Sequence, residues 1–387
     1  MTKRRISILG STGSVGCSTV DLIKRHPENF DVIALTAHSN VEMLVEQTLL
    51  LKPKFISIAN ERYYQPLKDA LAGVEVEIAS GADSVTVAAG IDADWIMASI
   101  VGAAGLKPTL RAIQQGGLVS FANKECLVCA GDLVMEEVAK HGATLLPTDS
   151  EHNAIFQVFS ENQRESIDHL ILTASGGPFR LSDKEFMRTV KPAQALAHPN
   201  WDMGAKISID SATMMNKGLE IIEARYLFDM TDDLIEVLVH PQSIIHSMVA
   251  YVDGSVLAQM GTPDMRTPIG HCLAWPDRMA VPCEKLDFVK LARMDFHAPD
   301  LDRFPALTLA REALRAGNWA TTVLNATNEV AVAAFLNEKI GFLDIANLVD
   351  RVLSKSDSYS LNSLDDVMSL DQETRSLANE LAAQINF

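Results

Sequence analysis

The stretch that most limits the fold is RISILGSTGSVG, residues 5–16. A short apolar run ends in a turn with glycines at 10, 13 and 16, and helical spacing follows in STVDLIKRH. Glycines placed there let the backbone turn tightly, so that a pyrophosphate can rest on the helix N-terminus. The spacing G-x-x-G-x-x-G varies the usual fingerprint, and a glycine triad by itself is equally a structural turn. Its place after the first strand and before a helix is what favours dinucleotide binding.

Strand patterns recur in FDVIALTA, KFISIAN, ADWIMASIVG and GLVSFAN, with helical patterns in VEMLVEQTLLLK and from about Pro108 to Gln115. The alternation predicts an α/β fold whose N-terminal domain, residues 1–148, is a Rossmann-like doubly wound sheet. The second strand ends LTAHSN, with no acid between Asp31 and Glu42. An acid there usually takes the ribose 2′-hydroxyl of NAD, so its absence favours NADP. The usual Arg or Lys is missing too, which leaves His38, Ser39 and Asn40 for the 2′-phosphate.

From 149 to 285 the pattern changes to a central α+β domain. HLILTASGG and AKISIDSA read as strands followed by turns, and VLVHPQSIIHSMVAYVDGSVLAQM as strand runs with a hairpin at Asp253-Gly254. Residues 286–301 read as a linker. The remainder, 302–387, reads as four helices in a small bundle.

Composition narrows the function. The chain has 387 residues, 48% hydrophobic and 21% charged, as a soluble globular enzyme would. No apolar run has membrane-helix length and no signal-peptide stretch is visible, so the expected location is cytoplasmic. Formal net charge is −17 without a basic run, which argues against nucleic acid as partner. Five scattered cysteines do not make a disulfide framework, and CLVC (126–129) is one C-x-x-C on an expected helix, best read as packing.

PTDSEHNA (147–154) carries Asp149 and Glu151 two residues apart. In an extended segment both would leave one face, where repulsion is relieved by a cation between them. Oxygen donors of this kind suit Mg2+ or Mn2+. A solvated polar turn is the competing reading. SIDSATMMNKGLEIIEARYLF (208–228) reads as a strand end, a turn and a helix. Its apolar stripe is Met215, Leu219, Ile222 and Tyr226, with Asn216, Glu220 and Glu223 on the other face. Ser211, Asn216 and Lys217 could hold one phosphate, with Glu220 a turn further on, or the polar face could simply be solvated. SGGPFR (175–180) offers backbone amides, and HPNWDMG (198–204) places Trp201 in a loop, where it is either a lid or an anchor in the core. ANKEC (122–126) follows a strand at the edge where open α/β sheets bind ligands.

Taken in order, GSTGSVG, VGAAGLKPTL, ANKE, DSEHNAIFQ, SGGPFR, HPNWDMG, KISIDSATMMNKGLE, HPQSIIHSMV and PDMRTPI resemble the 1-deoxy-D-xylulose 5-phosphate reductoisomerase family, from about residue 6 to the last helices. The resemblance implies a V-shaped homodimer that uses NADPH and Mg2+ or Mn2+. It implies rearrangement and reduction of a phosphorylated ketose, 1-deoxy-D-xylulose 5-phosphate, to 2-C-methyl-D-erythritol 4-phosphate for isoprenoid precursors. By that likeness Thr12, Gly13, Ser14 and Val15 hold the pyrophosphate and His38, Ser39 and Asn40 the 2′-phosphate. Asn123, Glu125 and Gly204 also touch the cofactor. Asp149, Glu151 and Glu220 ligate the metal. Lys124, Ser150, Glu151, Ser175, His198, Ser211, Asn216, Lys217 and Glu220 contact substrate, with Lys124, Glu151 and His198 in catalytic roles. Trp201 and Met203 fall in a flap. The family often has Gly-Lys-Asn where this chain has His38-Ser39-Asn40. Two other readings use the same cofactor domain: a metal-independent NADP dehydrogenase of a small phosphorylated or semialdehyde substrate, and a non-catalytic NADPH sensor.

Overall fold

A computed structural model describes residues 3–197, 201 and 204–385. The chain divides into two compact units, neither of them a continuous stretch. The first takes the chain up to Cys126, Val134–Asn153 and Met265–Cys283, and the second takes Leu127–Leu133, Ala154–Asp264 and the chain from Glu284 on.

The first unit is built on seven strands: β1 (Arg4–Leu9), β2 (Phe30–Ala37), β3 (Phe55–Ile58), β4 (Glu77–Ser80), β5 (Trp95–Ala98), β6 (Leu118–Phe121) and β7 (Thr144–Pro147). They pair in parallel in the order β4-β3-β2-β1-β5-β6-β7. The expected doubly wound sheet is present, with the two four-residue edge strands β4 and β7 added to those the sequence suggests. Strand order reverses between β1 and β5, the switch point where such sheets open a ligand crevice. β1, β3 and β5 have near-continuous buried runs, as parallel strands covered on both faces require.

Right-handed crossovers leave one face of β6 and β7 without a helix. The Arg266–Ala274 helix fills it, packing on β6, β7 and the Ser14–Arg25 helix. Its C-terminal carbonyls are taken by this same unit. The Trp95 indole N–H donates to the Cys272 carbonyl at 3.0 Å, and the Arg4 guanidinium to those of Leu273 and Trp275 at 2.5 and 2.9 Å. These bonds satisfy acceptors that every helix C-terminus leaves open.

The second unit has a four-stranded sheet in the order β11-β10-β8-β9, made of β8 (Ile167–Ala174), β9 (Ile235–Val239), β10 (Ile245–Tyr251) and β11 (Val256–Met260). The hairpin turns at Asp253-Gly254 as expected, with Gly254 at φ 86°. Four C-terminal helices follow, Ala306–Ala316, Asn318–Leu336, Asp344–Leu353 and Leu364–Ala382. Leu170, Leu172, Val249, Val323, Phe335 and Leu348 share one core between sheet and helices. AKISIDSA departs from expectation, because it is the helix Ala205–Thr213 rather than a strand. Its Ile-x-Ile alternation mimics period two, but Ser208, Ile209, Asp210, Ala212 and Thr213 are all buried, a choice made by tertiary packing.

Candidate active site

The glycine turn has the shape its spacing predicts. Gly10 sits at φ +85°, and a Cβ on Gly16 would lie 2.3 Å from the Gly10 carbonyl oxygen. Only glycine lets the Ser14–Arg25 helix start so close to the turn. Gly13 occupies the N-cap without a side-chain cap, and the first turn carries no acid. Thr12 and Val15 are half-buried and Gly13 and Ser14 exposed, so the amide end of the helix faces outward as an anion site would. The turn is held from below. Ser11 N–H donates to the Thr36 carbonyl at 2.8 Å, Gly10 N–H to Thr36 Oγ1 at 2.9 Å, and Gln47 Nε2 to the Ser11 carbonyl at 2.8 Å.

His38, Ser39 and Asn40 follow β2. His38 and Asn40 are exposed, but Asn40 Oδ1 accepts from Met43 N–H at 3.1 Å and so caps the Val41–Leu51 helix. Its carbonyl oxygen has a structural task, which leaves His38 and Ser39 the freer polar groups of the turn.

After β6 come Asn123, Lys124 and Glu125, all buried, with Asn123 Nδ2 donating to the Gly102 carbonyl at 3.1 Å. The Lys124 ammonium pairs with the Asp149 carboxylate. Asp149 follows β7, the neighbouring strand, so both groups stand at the carboxyl edge of the sheet. The expected extended geometry at 149–151 is corrected: Ser150–Val158 is a helix, and Asp149 stands at its start. Ser150 N–H donates to Asp149 Oδ1 at 2.9 Å and Asn153 N–H to the Asp149 carbonyl at 2.8 Å. Ser150 Oγ donates to Glu151 Oε2 at 2.5 Å. Two carboxylates at a helix N-terminus are favoured by its dipole. Asp149 and Glu151 are both half-buried, and their donor chemistry, hard oxygens, fits Mg2+ or Mn2+. His152 is fully buried, with Nδ1 4.0 Å from Asp149 Oδ2.

In the second unit Ser175 follows β8, and its Oγ accepts from Gly177 N–H at 3.1 Å. Gly177, at φ +67°, approaches Ser211 so closely that a Cβ would lie 2.7 Å from its carbonyl oxygen. Gly177 thereby ties the turn after β8 to the Ala205–Thr213 helix. Met214, at φ 62°, joins the Ala205–Thr213 and Met215–Leu227 helices with no intervening loop. Asn216 Nδ2 donates to Glu220 Oε1 at 2.5 Å, and the Lys217 ammonium pairs with Glu220 Oε2. The solvated reading of this helix fails, since Lys217 is 3% exposed and Glu220 and Glu223 are 0% exposed. Its apolar stripe packs as expected, with Met215, Leu219, Ile222 and Tyr226 in one cluster with Leu309 and Leu324. Gly204 is exposed at the start of Ala205–Thr213, and the Trp201 ring lies 6.1 Å from that of His246. His198 and Met203 lie outside the described residues. Cys126 and Cys129 are buried on the Lys124–His141 helix and outside any disulfide, in keeping with a packing role.

Sequence reasoning missed the groups that hold these side chains, among them Gln47, Asn153 and Cys272. No local pattern announces them: Gln47 and Cys272 act on residues distant in sequence, and Asn153 reaches back across the turn to Pro147.

A glycine turn on a doubly wound sheet, with a lysine and two carboxylates at that sheet's ligand edge, defines a dinucleotide-dependent oxidoreductase of two interleaved units. Models of 1-deoxy-D-xylulose 5-phosphate reductoisomerase match residues 6–131, of its C-terminal domain residues 145–228, and of the DXP reductoisomerase C-terminal domain residues 260–377. The reductoisomerase of Rhodospirillum centenum is 59% identical over 98% of this chain and 94% of that protein. The Zymomonas mobilis enzyme solved with NADPH is 54% identical, with TM-score 0.95 over 99% of this chain and 100% of that one. A DOX-P reductoisomerase solved with NADPH, fosmidomycin and magnesium is 43% identical, with TM-score 0.94 over 98% of each chain. The chain belongs to the 1-deoxy-D-xylulose 5-phosphate reductoisomerase family.

Proposed function

We infer that this chain is an NADPH- and divalent-metal-dependent oxidoreductase. It rearranges 1-deoxy-D-xylulose 5-phosphate and reduces the product to 2-C-methyl-D-erythritol 4-phosphate, in isoprenoid precursor synthesis. Family membership along nearly the whole chain supports the reaction. The observation that carries the residue assignment is the helix start Asp149-Ser150-Glu151 with the Lys124 ammonium on Asp149.

When bound, NADPH supplies the hydride and the divalent cation supplies Lewis-acid charge at the substrate's ketone and adjacent hydroxyl. This chain's residues do the rest. Asp149, Glu151 and Glu220 hold the cation. Lys124 exchanges its partner Asp149 for substrate oxygen and keeps positive charge at the reacting carbons. Glu151 takes and returns the hydroxyl proton, with the Ser150 hydroxyl on its Oε2 fixing its orientation. Ser175, Ser211, Asn216, Lys217 and His198 anchor the phosphate, and that remote binding energy drives closure of the Trp201 segment. Thr12, Gly13, Ser14 and Val15 receive the pyrophosphate on the helix N-terminus, His38, Ser39 and Asn40 face the 2′-phosphate, and Asn123, Glu125 and Gly204 complete the cofactor contacts.

The functional division follows 1–148 for NADPH, 149–285 for catalysis and dimerisation, a 286–301 linker and the 302–387 bundle. A homodimer is supported by the open edge of β11, where Val256 and Leu257 are 51% and 48% exposed. Among the described residues no helix is long and apolar enough to cross a membrane. We place the enzyme in the cytoplasm, and the acidic charge without a basic run speaks against a nucleic-acid partner.

The test is NADPH oxidation with 1-deoxy-D-xylulose 5-phosphate before and after EDTA. Activity lost with chelator and regained with Mg2+ or Mn2+ is expected. Activity indifferent to EDTA would remove the carboxylate site from the reaction.

A further inference from the structure

Behind the carboxylate turn lies a buried cluster that the proposed chemistry does not use. The Pro147 carbonyl, two residues before Asp149, accepts two side-chain hydrogen bonds: from Asn153 Nδ2 at 2.8 Å and from Cys272 Sγ at 3.2 Å. Asn153 Nδ2 also faces His271 Nδ1 at 3.2 Å and Cys272 Sγ at 3.4 Å. As the carboxamide nitrogen donates, His271 Nδ1 is the acceptor and the ring proton sits on Nε2. Asn153 is 1% exposed and Cys272 0% exposed. Beside them Ser120 Oγ and Thr148 Oγ1 share a hydrogen bond of 2.8 Å, which ties the end of β6 to the turn.

Two donors on one backbone oxygen are an unusual concentration of polar groups in a buried place, where each unmade bond is costly. They come from opposite sides of the turn. Asn153 reaches back from the first turns of the Ser150–Val158 helix, and Cys272 reaches in from the Arg266–Ala274 helix. The Cys272 backbone is itself fixed, because its carbonyl takes the Trp95 indole N–H. The bond to Pro147 therefore runs to a rigid post.

We propose that Asn153 and Cys272 are positioning residues for the cation site: together they hold the Pro147 carbonyl and so set the backbone from which Asp149 and Glu151 project. The proposal rests on the reading that those two carboxylates ligate the cation. Partners behind a ligand shell tune affinity by orienting the ligands, and their loss typically weakens metal binding about tenfold to a hundredfold.

The test uses the full-length enzyme with NADPH bound, titrated with Mn2+ and followed by the EPR signal of the free ion. Cys272→Val keeps the side-chain volume and removes the thiol donor. Cys272→Ser keeps a donor. Asn153→Leu removes the second donor but could fail to fold, so the Cys272 pair decides. Expected for Cys272→Val is Mn2+ affinity down by about tenfold with NADPH affinity unchanged, and recovery in Cys272→Ser. Wild-type Mn2+ affinity in Cys272→Val overturns the proposal, as does equal weakening in the Ser and Val variants, which would mean packing alone. Asp149→Asn run in parallel separates the two levels. If it too binds Mn2+ normally, the ligand assignment has failed and the positioning role falls with it. If it loses Mn2+ while Cys272→Val does not, only the positioning role has failed.

Discussion

The Lys124 ammonium is paired with the Asp149 carboxylate, each side chain mostly buried, at 10% and 17% exposure. One group begins the helix after β6 and the other begins the helix after β7, so the pairing of adjacent strands brings them together. The pairing holds the Asp149 carboxylate in place at the start of its helix.

Asp149→Asn keeps the shape and removes the charge. Most turnover with 1-deoxy-D-xylulose 5-phosphate should be lost while NADPH still binds. Steady-state rates over a Mg2+ series, beside a fluorescence titration with NADPH, check both halves. Near-wild-type turnover at low Mg2+ would refute the ligand role of Asp149.

Lys217 and Glu220 form a fully desolvated pair inside a helix. Lys217→Met takes the ammonium from the buried Glu220 carboxylate, leaving it the Asn216 amide, and should destabilise the protein by about 3–5 kcal/mol. Adding Glu220→Leu should recover much of that loss, although the double variant should be inactive. Urea unfolding of the two variants measures the difference, and a single variant as stable as the wild type would contradict the buried geometry.

Gln47 is 5% exposed and its carboxamide holds the Ser11 carbonyl inside the glycine turn. Gln47→Leu leaves that buried oxygen short of a donor, at a cost of about 1–3 kcal/mol. Part of the cost should fall on the cofactor, with NADPH bound roughly tenfold more weakly for about 1.4 kcal/mol lost. Fluorescence titration reads this directly, and unchanged affinity would make Gln47 a packing residue only.

Burial, then the nearby Arg278 charge, pushes the His271 imidazole down from 6.5 to about 4. Its folded value lies below its unfolded one, so its contribution to stability is complete above pH 6.5 and is lost as pH falls toward about 4. Melting temperature measured between those limits should fall on acidification. His271→Gln should flatten that part of the profile, and an unchanged slope would place the acid sensitivity elsewhere.

What could be read in the sequence was what short-range sterics and periodicity write there. Gly10 and Gly16 announced the turn because no other residue fits those two positions. The stripe Met215, Leu219, Ile222 and Tyr226 announced its helix through spacing alone. The edge strands β4 and β7 left no such mark at four residues each. Asp149-Ser150-Glu151 looked extended because alternating acids satisfy period two, yet an Asp before such a run is also a helix-start signal. Whether Glu220 and Glu223 were solvated or turned into a site stayed open, because local pattern does not report burial, and both are 0% exposed in the fold. Cys272 could not be tied to Pro147 at all, since only the folded chain makes them neighbours.

The first unit's ownership of Met265–Cys283 bears on how the chain is made. As synthesis proceeds from the N-terminus, all seven strands of the sheet leave the ribosome well before the helix that covers β6 and β7. Until Cys272 emerges, the Trp95 indole has no carbonyl to meet and that face of the sheet stays open to water or to a chaperone. A fragment ending at Asn153 would freeze this half-finished state, so a cofactor domain cut at that point should aggregate, whereas one to which residues 265–283 are rejoined by a linker should stay in solution.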